Sequence, residues 1–230
     1  IAAHILASEK TGLILISRGL VGNESVTSET LADNVTNIML KDYQPQSIDQ
    51  AITFLAQHNH APITRVFVCN GILHNDTIQP EKRLEDFDAQ AFMEVITSNT
   101  LTPMLWIQKL TPLLTGKSPC KFVLFSARVG SISDNRLGGW YSYRASKAAL
   151  NMMIKTAAIE FARRAKNIKL IAFHPGTTDT PLSKPFQKNV PANKLFTSAF
   201  VAKQLLDIVE KAPLDQTASY LDWQGEVINW

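Results

Sequence analysis

Short apolar runs alternate with longer segments of helical period along the chain, and this alternation constrains the fold more than any other feature. Five runs are candidate strands: 13–17 (LILIS), 37–40 (NIML), 66–69 (VFVC), 122–125 (FVLF) and 170–173 (LIAF). They lack the polar alternation of a half-exposed strand, which is typical of parallel strands covered on both faces. Strands that lead into helices and then into further strands predict the α/β class, a doubly wound parallel sheet in three α/β/α layers.

Helical periodicity fills the segments between these runs. We expect helices at about 47–58, 84–114, 140–165 and 199–210, followed by a last strand at 219–222. A chain of 230 residues suits one well-buried domain, and no linker or internal repeat divides it. The sequence therefore predicts a single domain over residues 1–230.

The first residues have helical spacing rather than the pattern of a strand. Residues 1–11 form this segment, and Gly12 ends it before the first apolar run. A nucleotide-binding sheet normally begins with a strand and a glycine-rich turn whose amides approach a pyrophosphate. We therefore expect about twenty further residues ahead of Ile1, enough for that strand, its turn and the start of the helix. A protein that truly began at Ile1 would be expected to bind no dinucleotide.

Charge, cysteine content and hydropathy argue against several classes of protein. The net charge is +3, and the densest basic cluster, within 163–169, ends a predicted helix, where cations complement the helix dipole. We expect no nucleic-acid partner. Cys69 and Cys120 lack metal-ligand spacing and read as free thiols, so no metal site is predicted. The absence of an apolar run of about 18 residues favours a cytoplasmic protein without a membrane segment.

Tyr143 and Lys147 lie four residues apart in the pentad YRASK, which opens a predicted helix of small residues. Residues at this spacing share one face of a helix, so the phenol and the ammonium point into the same volume. A cation held there favours the phenolate and lowers the pKa of the tyrosine from its usual value of about 10. Tyr143 is therefore a candidate general acid–base residue.

Further motifs accompany this pair in a fixed order. Asn99 precedes the segment 125–131 (FSARVGS), and 174–180 (HPGTTDT) follows the pair. Together they resemble the short-chain dehydrogenase/reductase family, whose doubly wound sheet is a Rossmann fold, over the whole chain but without its first strand and glycine-rich turn. The resemblance implies that Tyr143 exchanges a proton with the substrate oxygen and that Lys147 holds the nicotinamide ribose. It also implies that Asn99 supports a water-linked proton relay to the lysine.

The same resemblance assigns residues to the nicotinamide end of a cofactor. Pro175 and Gly176 begin a turn that resembles the family's Pro-Gly-x-x-x-Thr. By this resemblance, the backbone near Thr178 meets the carboxamide and the Thr180 hydroxyl meets a phosphate. Free amides and a hydroxyl after a strand suit an anionic cofactor.

Four residues concern the adenosine end. Arg18 ends the first apolar run, where relatives that use NAD tend to carry an acidic residue. An arginine can instead pair with a 2′-phosphate. This favours NADP as the cofactor and leaves NAD possible. A solvated loop cation is the alternative interpretation of Arg18. Asp42 matches the acidic residue that contacts the adenine amino group. Asn70 and Gly71 resemble the family's Asn-Asn-Ala-Gly with the asparagine displaced by one place, and Gly71 still permits close approach beside the adenine ribose.

An alanine stands where this family carries its catalytic serine. Ala127 occupies the second position of the family's Ser-Ser-x-x-Gly. Ser126 is one residue early and on a strand would face the other way. Ser131 lies twelve residues before Tyr143 and could enter the site if the loop folds back. Both serines are kept as candidate catalytic residues, since losing one hydrogen bond to the reacting oxygen, worth on the order of a few kcal/mol, slows catalysis without necessarily abolishing it.

These motifs predict an NADP-preferring oxidoreductase that interconverts a carbonyl and an alcohol on a small, apolar substrate. Trp140 and the segment 181–191 are expected to border the substrate pocket, and Trp140 with Phe186 indicates an apolar or aromatic carbonyl compound. The segment 134–140 resembles the branch of the family that contains the developmental C-factor and small carbonyl reductases. A nucleotide-binding regulatory protein with little turnover is the alternative, and Ala127 supports it. The resemblance also implies that the helices bearing the catalytic residues pair with those of another copy, in a homodimer or homotetramer.

Overall fold

The computed structural model describes residues 1–8, 11–18, 34–57 and 61–230, apart from the side chains of Asn189 and Ala192. Two compact units make up the chain, Ile1–Pro62 and Ile63–Trp230. The single domain expected from the sequence stays a prediction.

The described residues of the first unit form two parallel strands and two helices. Its elements are α1 (Ala2–Ser8), β1 (Leu13–Arg18), β2 (Val35–Leu40) and α2 (Pro45–Gln57). Helix α2 buries Ile48, Ala51 and Leu55, whose spacing of three and four residues places them on one helical face. The strands and helices predicted here are confirmed. The predicted helical residues at 9, 10 and 58 lie outside the described part of the chain.

The second unit is built on four parallel strands joined through helices. In sheet order the strands are β3 (Arg65–Val68), β4 (Cys120–Phe125), β5 (Ile168–His174) and β8 (Ser219–Asp222). The helices are α3 (Ala89–Ile96), α4 (Thr102–Leu114), α5 (Tyr141–Arg164) and α6 (Ser198–Lys211). A separate short parallel pair is formed by β6 (Thr177–Thr178) and β7 (Leu195–Phe196). Neighbouring parallel strands need crossover connections, and helices serve as these connections in the four-stranded sheet.

The middle of this sheet explains why its strands read as continuous apolar runs. Phe122, Val123 and Leu124 are successive residues of β4, and the exposed fraction of each is 0%. Successive side chains of a strand point to opposite faces, so both faces of β4 are covered. The predicted parallel sheet flanked by helices is confirmed. Among the residues that the structure describes, no helix is long and apolar enough to cross a membrane.

The predicted helix over 84–114 is wrong in detail, because it is interrupted twice. Leu84–Asp86 forms only a short 3-10 turn. Asp88 then begins α3 as its N-cap and accepts a backbone hydrogen bond at 2.8 Å, a role that aspartate fills better than an interior helical position. Helix α3 continues into α4 through a π-helical turn, Thr97–Leu101, which carries Asn99. Such turns are frequent at functional sites.

Gly130 lets the turn after β4 approach α5 closely. A Cβ atom on Gly130 would lie 2.8 Å from both the carbonyl carbon and the Cβ of Lys147. The obstacle is partly backbone, which cannot rotate away. Position 130 therefore sets the distance between the end of β4 and the helix that carries Tyr143 and Lys147.

We predict that Gly130→Ala lowers the free energy of unfolding by about 1–3 kcal/mol, the usual cost of overpacking. Urea denaturation measures this difference. Gly116→Ala is the matched control, because a Cβ at that glycine meets no atom within 4 Å, and it should change stability by less than about 0.5 kcal/mol. Equal stability of the two variants would contradict the close packing at Gly130.

Candidate active site

The candidate site lies at the edge of the second unit's sheet where β3, β4 and β5 end. Three loops leave the sheet there, at residues 69–71, 126–131 and 174–180. The carboxyl ends of parallel strands are the usual location of a ligand site in open α/β sheets. Every residue predicted for the nicotinamide end or for catalysis lies in these loops, in α5 or in the π-helical turn.

Tyr143 and Lys147 share one buried face of α5, as their spacing predicts. Their exposed fractions are 9% and 3%, and the Lys147 Nζ lies 5.7 Å from the centre of the Tyr143 ring. The ammonium donates a hydrogen bond to the Phe125 carbonyl at 2.8 Å. The last residue of β4 therefore holds the lysine beside the phenol.

Burial dominates the titration of both groups. It raises the pKa of Tyr143 well above its usual value, with a smaller contribution from nearby Tyr220. Burial also lowers the pKa of Lys147 to about 8. The prediction that the lysine lowers the tyrosine pKa below its usual value is therefore wrong, because removal from water disfavours the phenolate. Tyr143 holds its proton at neutral pH.

Asn99 connects the loop after β3 to α5. Its side chain is fully buried and donates to the Ile72 carbonyl at 2.8 Å and to Ser146 Oγ at 3.0 Å, while its Oδ1 accepts from the Ile72 amide at 2.7 Å. A Cβ on Gly71 would lie 3.1 Å from Asn99 Oδ1 and 3.5 Å from Lys147 Nζ. The asparagine and the lysine therefore border the same small space above Gly71.

Asn70 presents an unused acceptor near this space. Its Nδ2 donates to the Ser98 carbonyl at 2.8 Å. Its Oδ1 is buried and has no hydrogen-bond partner among the described residues. An unpaired buried acceptor costs about 1–3 kcal/mol, so this oxygen is suited to a hydroxyl supplied by a ligand.

Ser126 and the backbone of Ala127 belong to a buried polar network. Ser126 Oγ donates to Asn151 Oδ1 at 2.6 Å, and the Tyr220 hydroxyl donates to the Ala127 carbonyl at 2.6 Å. Asn151 follows Lys147 by one helical turn. The Ser126 hydroxyl is thus committed to the helix, and its catalytic role stays a prediction.

Ser131 is also buried, but its contacts are with its own loop. Its Oγ lies 3.3 Å from Ser133 Oγ and accepts from the Asp134 amide at 3.3 Å. Both contacts are long for hydrogen bonds that involve a hydroxyl. The role of Ser131 as a replacement for the missing serine likewise stays a prediction.

The Pro-Gly turn after β5 is closed by internal contacts. Gly176 has φ of 69°, and a Cβ there would lie 2.7 Å from the Phe196 ring, so both backbone conformation and space require glycine. The Thr178 hydroxyl lies 3.5 Å from the Pro175 carbonyl, and the Thr180 hydroxyl donates to the Thr178 carbonyl at 3.3 Å. The assigned contacts of these residues with a carboxamide and a phosphate stay predictions.

Aromatic rings pack next to one another beside Tyr143. The Trp140 ring lies 6.1 Å from the Tyr143 ring and 5.1 Å from the Phe186 ring, both in edge-to-face arrangements. His74 packs on Phe186 at 5.7 Å. We call Trp140 and Phe186 the aromatic wall. It places apolar surface directly beside Tyr143.

Sequence reasoning missed Glu81, a buried carboxylate at the start of α5. Its oxygens accept hydrogen bonds from Ser142, the residue before Tyr143. No local signal indicates this contact, because Glu81 lies in a polar stretch 61 residues away in the chain. It also missed the Phe125 carbonyl, a backbone atom that any residue at that position would provide.

Two of the four residues predicted for the adenosine end, Arg18 and Asp42, lie in the first unit. The Arg18 guanidinium lies 5.0 Å from the centre of the Tyr43 ring, a cation–π distance. Asp42 accepts hydrogen bonds from Ser47 Oγ at 2.6 Å and from the Gln44 amide at 3.0 Å. The bond from Ser47 is the main reason that the pKa of Asp42 is lowered. Their roles toward a nucleotide stay predictions.

The chain is similar in sequence to known proteins. The 1-hydroxy-2-glutathionyl-2-methyl-3-butene dehydrogenase of Rhodococcus sp. (strain AD45) is 26% identical over 189 residues, which cover 82% of this chain and 78% of that protein. C-signal of Myxococcus xanthus is 26% identical over 147 residues, which cover 64% of this chain and 83% of that protein.

A solved structure shows the same fold. The NADPH-bound carbonyl reductase from chicken fatty liver superposes with a TM-score of 0.82 at 23% identity, covering 100% of this chain and 92% of that chain. This similarity confirms the predicted doubly wound α/β fold. The family model for short chain dehydrogenases matches residues 2–191. Because this match spans most of the sequence, the chain belongs to the short chain dehydrogenase family.

Proposed function

We propose that this protein is an NADP(H)-dependent carbonyl reductase for small, apolar substrates. The observation that carries the proposal is the buried, protonated Tyr143 phenol beside the Lys147 ammonium, at the ligand-binding edge of the sheet. Membership of the family supports oxidoreductase chemistry. The carbonyl reductase from chicken fatty liver, whose structure holds NADPH, supports this choice of cofactor and reaction.

The residues at the site fit the riboses and the nicotinamide of such a cofactor, with Asn70 and Gly71 beside the adenine ribose and Lys147 beside the nicotinamide ribose. Asn70 Oδ1 is a buried acceptor that needs a donor, and Gly71 leaves space for close approach. Lys147 has three N–H donors, of which Phe125 receives one, so ribose hydroxyls suit the others. When bound, the nicotinamide supplies or accepts the hydride. Gly176 would bring the turn after β5 toward the carboxamide.

Arg18 supports NADP over NAD. A guanidinium can form two parallel hydrogen bonds to a phosphate, and a 2′-phosphate distinguishes NADP from NAD. Asp42 is kept as the proposed partner of the adenine amino group. Its contacts with Ser47 and Gln44 already fix the carboxylate in one orientation.

The protonation of Tyr143 is compatible with reduction. The phenol carries its proton at neutral pH, because its pKa lies above the usual value, so Tyr143 can give that proton to a carbonyl oxygen while hydride reaches the carbonyl carbon. The Lys147 ammonium then stabilises the phenolate that this transfer leaves. Asn99 holds the two sides of the site together through Ile72 and Ser146. One hydride and one proton convert the carbonyl to an alcohol.

The aromatic wall supports an apolar or aromatic carbonyl substrate. Trp140 and Phe186 offer ring surface close to the phenol, and such surface favours apolar ligands over charged ones. A planar aromatic ketone could place its carbonyl at Tyr143 while its ring packs on the wall.

Exposed apolar side chains on the catalytic helices support a homo-oligomer. Half or more of the surface of Met93, Leu101, Met152 and Ile159 is exposed, and all four lie on α3, α5 or the π-helical turn. Exposed apolar side chains on such helices are a feature of many protein–protein interfaces. We propose that a second copy covers it, in a dimer or a tetramer.

The first test of the proposal is Tyr143→Phe, which removes only the acidic hydroxyl. We expect the rate of NADPH oxidation with quinones, aldehydes and aromatic ketones to fall by at least about a hundredfold. Stopped assays of alcohol formation check that the oxidation is productive. Tyr141→Phe is the matched control, since this exposed tyrosine lies on the same helix two residues away. Turnover of Tyr143→Phe at the wild-type rate would refute the acid role.

The second test is the pH dependence of reduction. Lys147 has a pKa of about 8, so its charge is present below this pH and is lost above it. Because the ammonium stabilises the forming phenolate, kcat/KM should decline as the pH rises through about 8. In Lys147→Arg the charge persists, so the decline should move to higher pH even if the rate is lower. Lys155→Arg, at an exposed position of α5, should keep the wild-type profile, and an identical profile in Lys147→Arg would contradict the assignment.

A regulatory protein that binds nucleotide with little turnover is the second candidate function. Ala127 favours it, because the site lacks the family's serine and the Ser126 hydroxyl is committed to Asn151. The relative named C-signal from Myxococcus xanthus is consistent with a signalling role. A protein with this function would bind the cofactor but would catalyse the reaction only slowly.

Ala127→Ser separates the two candidates. For a reductase, the restored hydroxyl should raise kcat by at least about tenfold, measured as NADPH oxidation with an aromatic ketone. Ala145→Ser, the same substitution at an exposed position of α5, should have no effect. Tight NADPH binding without turnover, in both the wild-type protein and Ala127→Ser, would favour the regulator. A severe loss in Ser131→Ala would instead show that Ser131 already supplies the hydroxyl.

A further inference from the structure

Glu81 is a buried carboxylate with a defined set of donors. Its exposed fraction is 5%, and both of its carboxylate oxygens lie 3.2 Å from the Ser142 amide nitrogen. The Ser142 hydroxyl also donates to Glu81 Oε1. A buried charge is costly unless it is hydrogen-bonded, so the contact with Ser142 compensates for part of the cost of burying Glu81.

Glu81 serves as the cap that α5 lacks in its own sequence. The N-cap position is occupied by Trp140, which makes no side-chain cap hydrogen bond. The first amides of a helix have no partner within the helix, and Ser142 is the second helical residue. Glu81 accepts from this amide and places negative charge at the positive end of the helix dipole. A serine or aspartate at the N-cap usually accepts such a hydrogen bond, whereas here the acceptor comes from a loop that is distant in the chain.

The backbone of Glu81 holds the entry to the same helix. Its carbonyl accepts a hydrogen bond from the Trp140 amide at 2.5 Å. Trp140 has φ of 53°, a left-handed conformation that is unfavourable for a bulky residue unless surrounding contacts impose it. The preceding Gly139 also has positive φ, and a Cβ there would lie 3.3 Å from the Glu81 carbonyl oxygen. The entry turn is therefore fitted closely around Glu81.

Both contacts act on groups at the reacting centre. Ser142 directly precedes Tyr143, and the Trp140 ring packs against the rings of Tyr143 and Phe186. We propose that Glu81 is a positioning residue that fixes the Tyr143 phenol and the aromatic wall relative to each other. This inference rests on the proposed carbonyl reduction and adds a determinant of its geometry. Glu81 acts through Ser142 and Trp140.

Glu81→Ala and Glu81→Gln test this role in the complete protein. We expect Glu81→Ala to lower kcat and raise KM for an aromatic ketone, with kcat/KM falling by at least about tenfold. The dissociation constant of NADPH, measured by fluorescence titration, should stay at the wild-type value. Glu81→Gln keeps one acceptor oxygen and should restore part of kcat. Hydrogen exchange should become faster at the amides of residues 141–145 in Glu81→Ala.

Two controls separate positioning from stability. Asp88→Ala removes the N-cap of α3 and should lower Tm without lowering kcat. Glu85→Ala removes an exposed carboxylate from the same loop region and should change neither. If Glu81→Ala lowers Tm as Asp88→Ala does and leaves kcat and KM unchanged, Glu81 is only a structural cap and the proposal fails. If Glu81→Ala does not fold, Ser142→Ala and Glu81→Gln give the same comparison.

Failure of the proposed function would give a different result. A wild-type protein that reduces no carbonyl compound in the panel would remove the reductase assignment while leaving the contacts of Glu81 testable. In that case, local acceleration of exchange at 141–145 in Glu81→Ala would still show that Glu81 fixes the start of α5. Unchanged exchange there would overturn the positioning role regardless of the reaction.

Discussion

The hydrogen bond from the buried Lys147 ammonium to the Phe125 carbonyl is the interaction on which the candidate site depends. A charge taken out of water needs strong compensation, and here the partner is a backbone carbonyl at the end of a strand. The lysine can keep this partner only if α5 stays at a set distance from β4. Gly130 allows that distance, and Asn151 maintains it through its bond from Ser126. The chemistry of the site thus depends on close packing between one strand end and one helix.

Burial at this point also shifts the pKa values of both side chains. A more exposed site would give the lysine a stable charge and the tyrosine an ordinary pKa. The observed burial instead raises the pKa of Tyr143 further and lowers the pKa of Lys147 to about 8, close to physiological pH. A proton donor beside a cation of adjustable charge suits addition of hydride to a carbonyl. In the proposed reduction, the environment of these two groups therefore matters as much as their residue types.

The sequence was informative wherever a feature depended on local periodicity. The apolar residues of β4 predicted a strand covered on both faces, and the spacing of Tyr143 and Lys147 predicted their shared helical face. It failed where the deciding contact came from elsewhere in the chain. Nothing near Tyr143 indicates how strongly it is buried, so the direction of its pKa shift was wrong. The role of Glu81 could not be predicted from the sequence for the same reason, since its partner Ser142 lies 61 residues away.

The π-helical turn at Thr97–Leu101 has a consequence for how this region can change. One extra residue in a helix rotates everything after it by about 100°, so α3 and α4 present faces that a regular helix could not present together. Asn99 faces the site because it sits within this offset. Deleting one residue from the turn would give a regular α-helix that forms more easily. It would also rotate either the Asn99 side chain or the whole of α4 about the helix axis, away from its present direction. A regular helix would therefore misplace Asn99, and the π-helical turn keeps it at the candidate site.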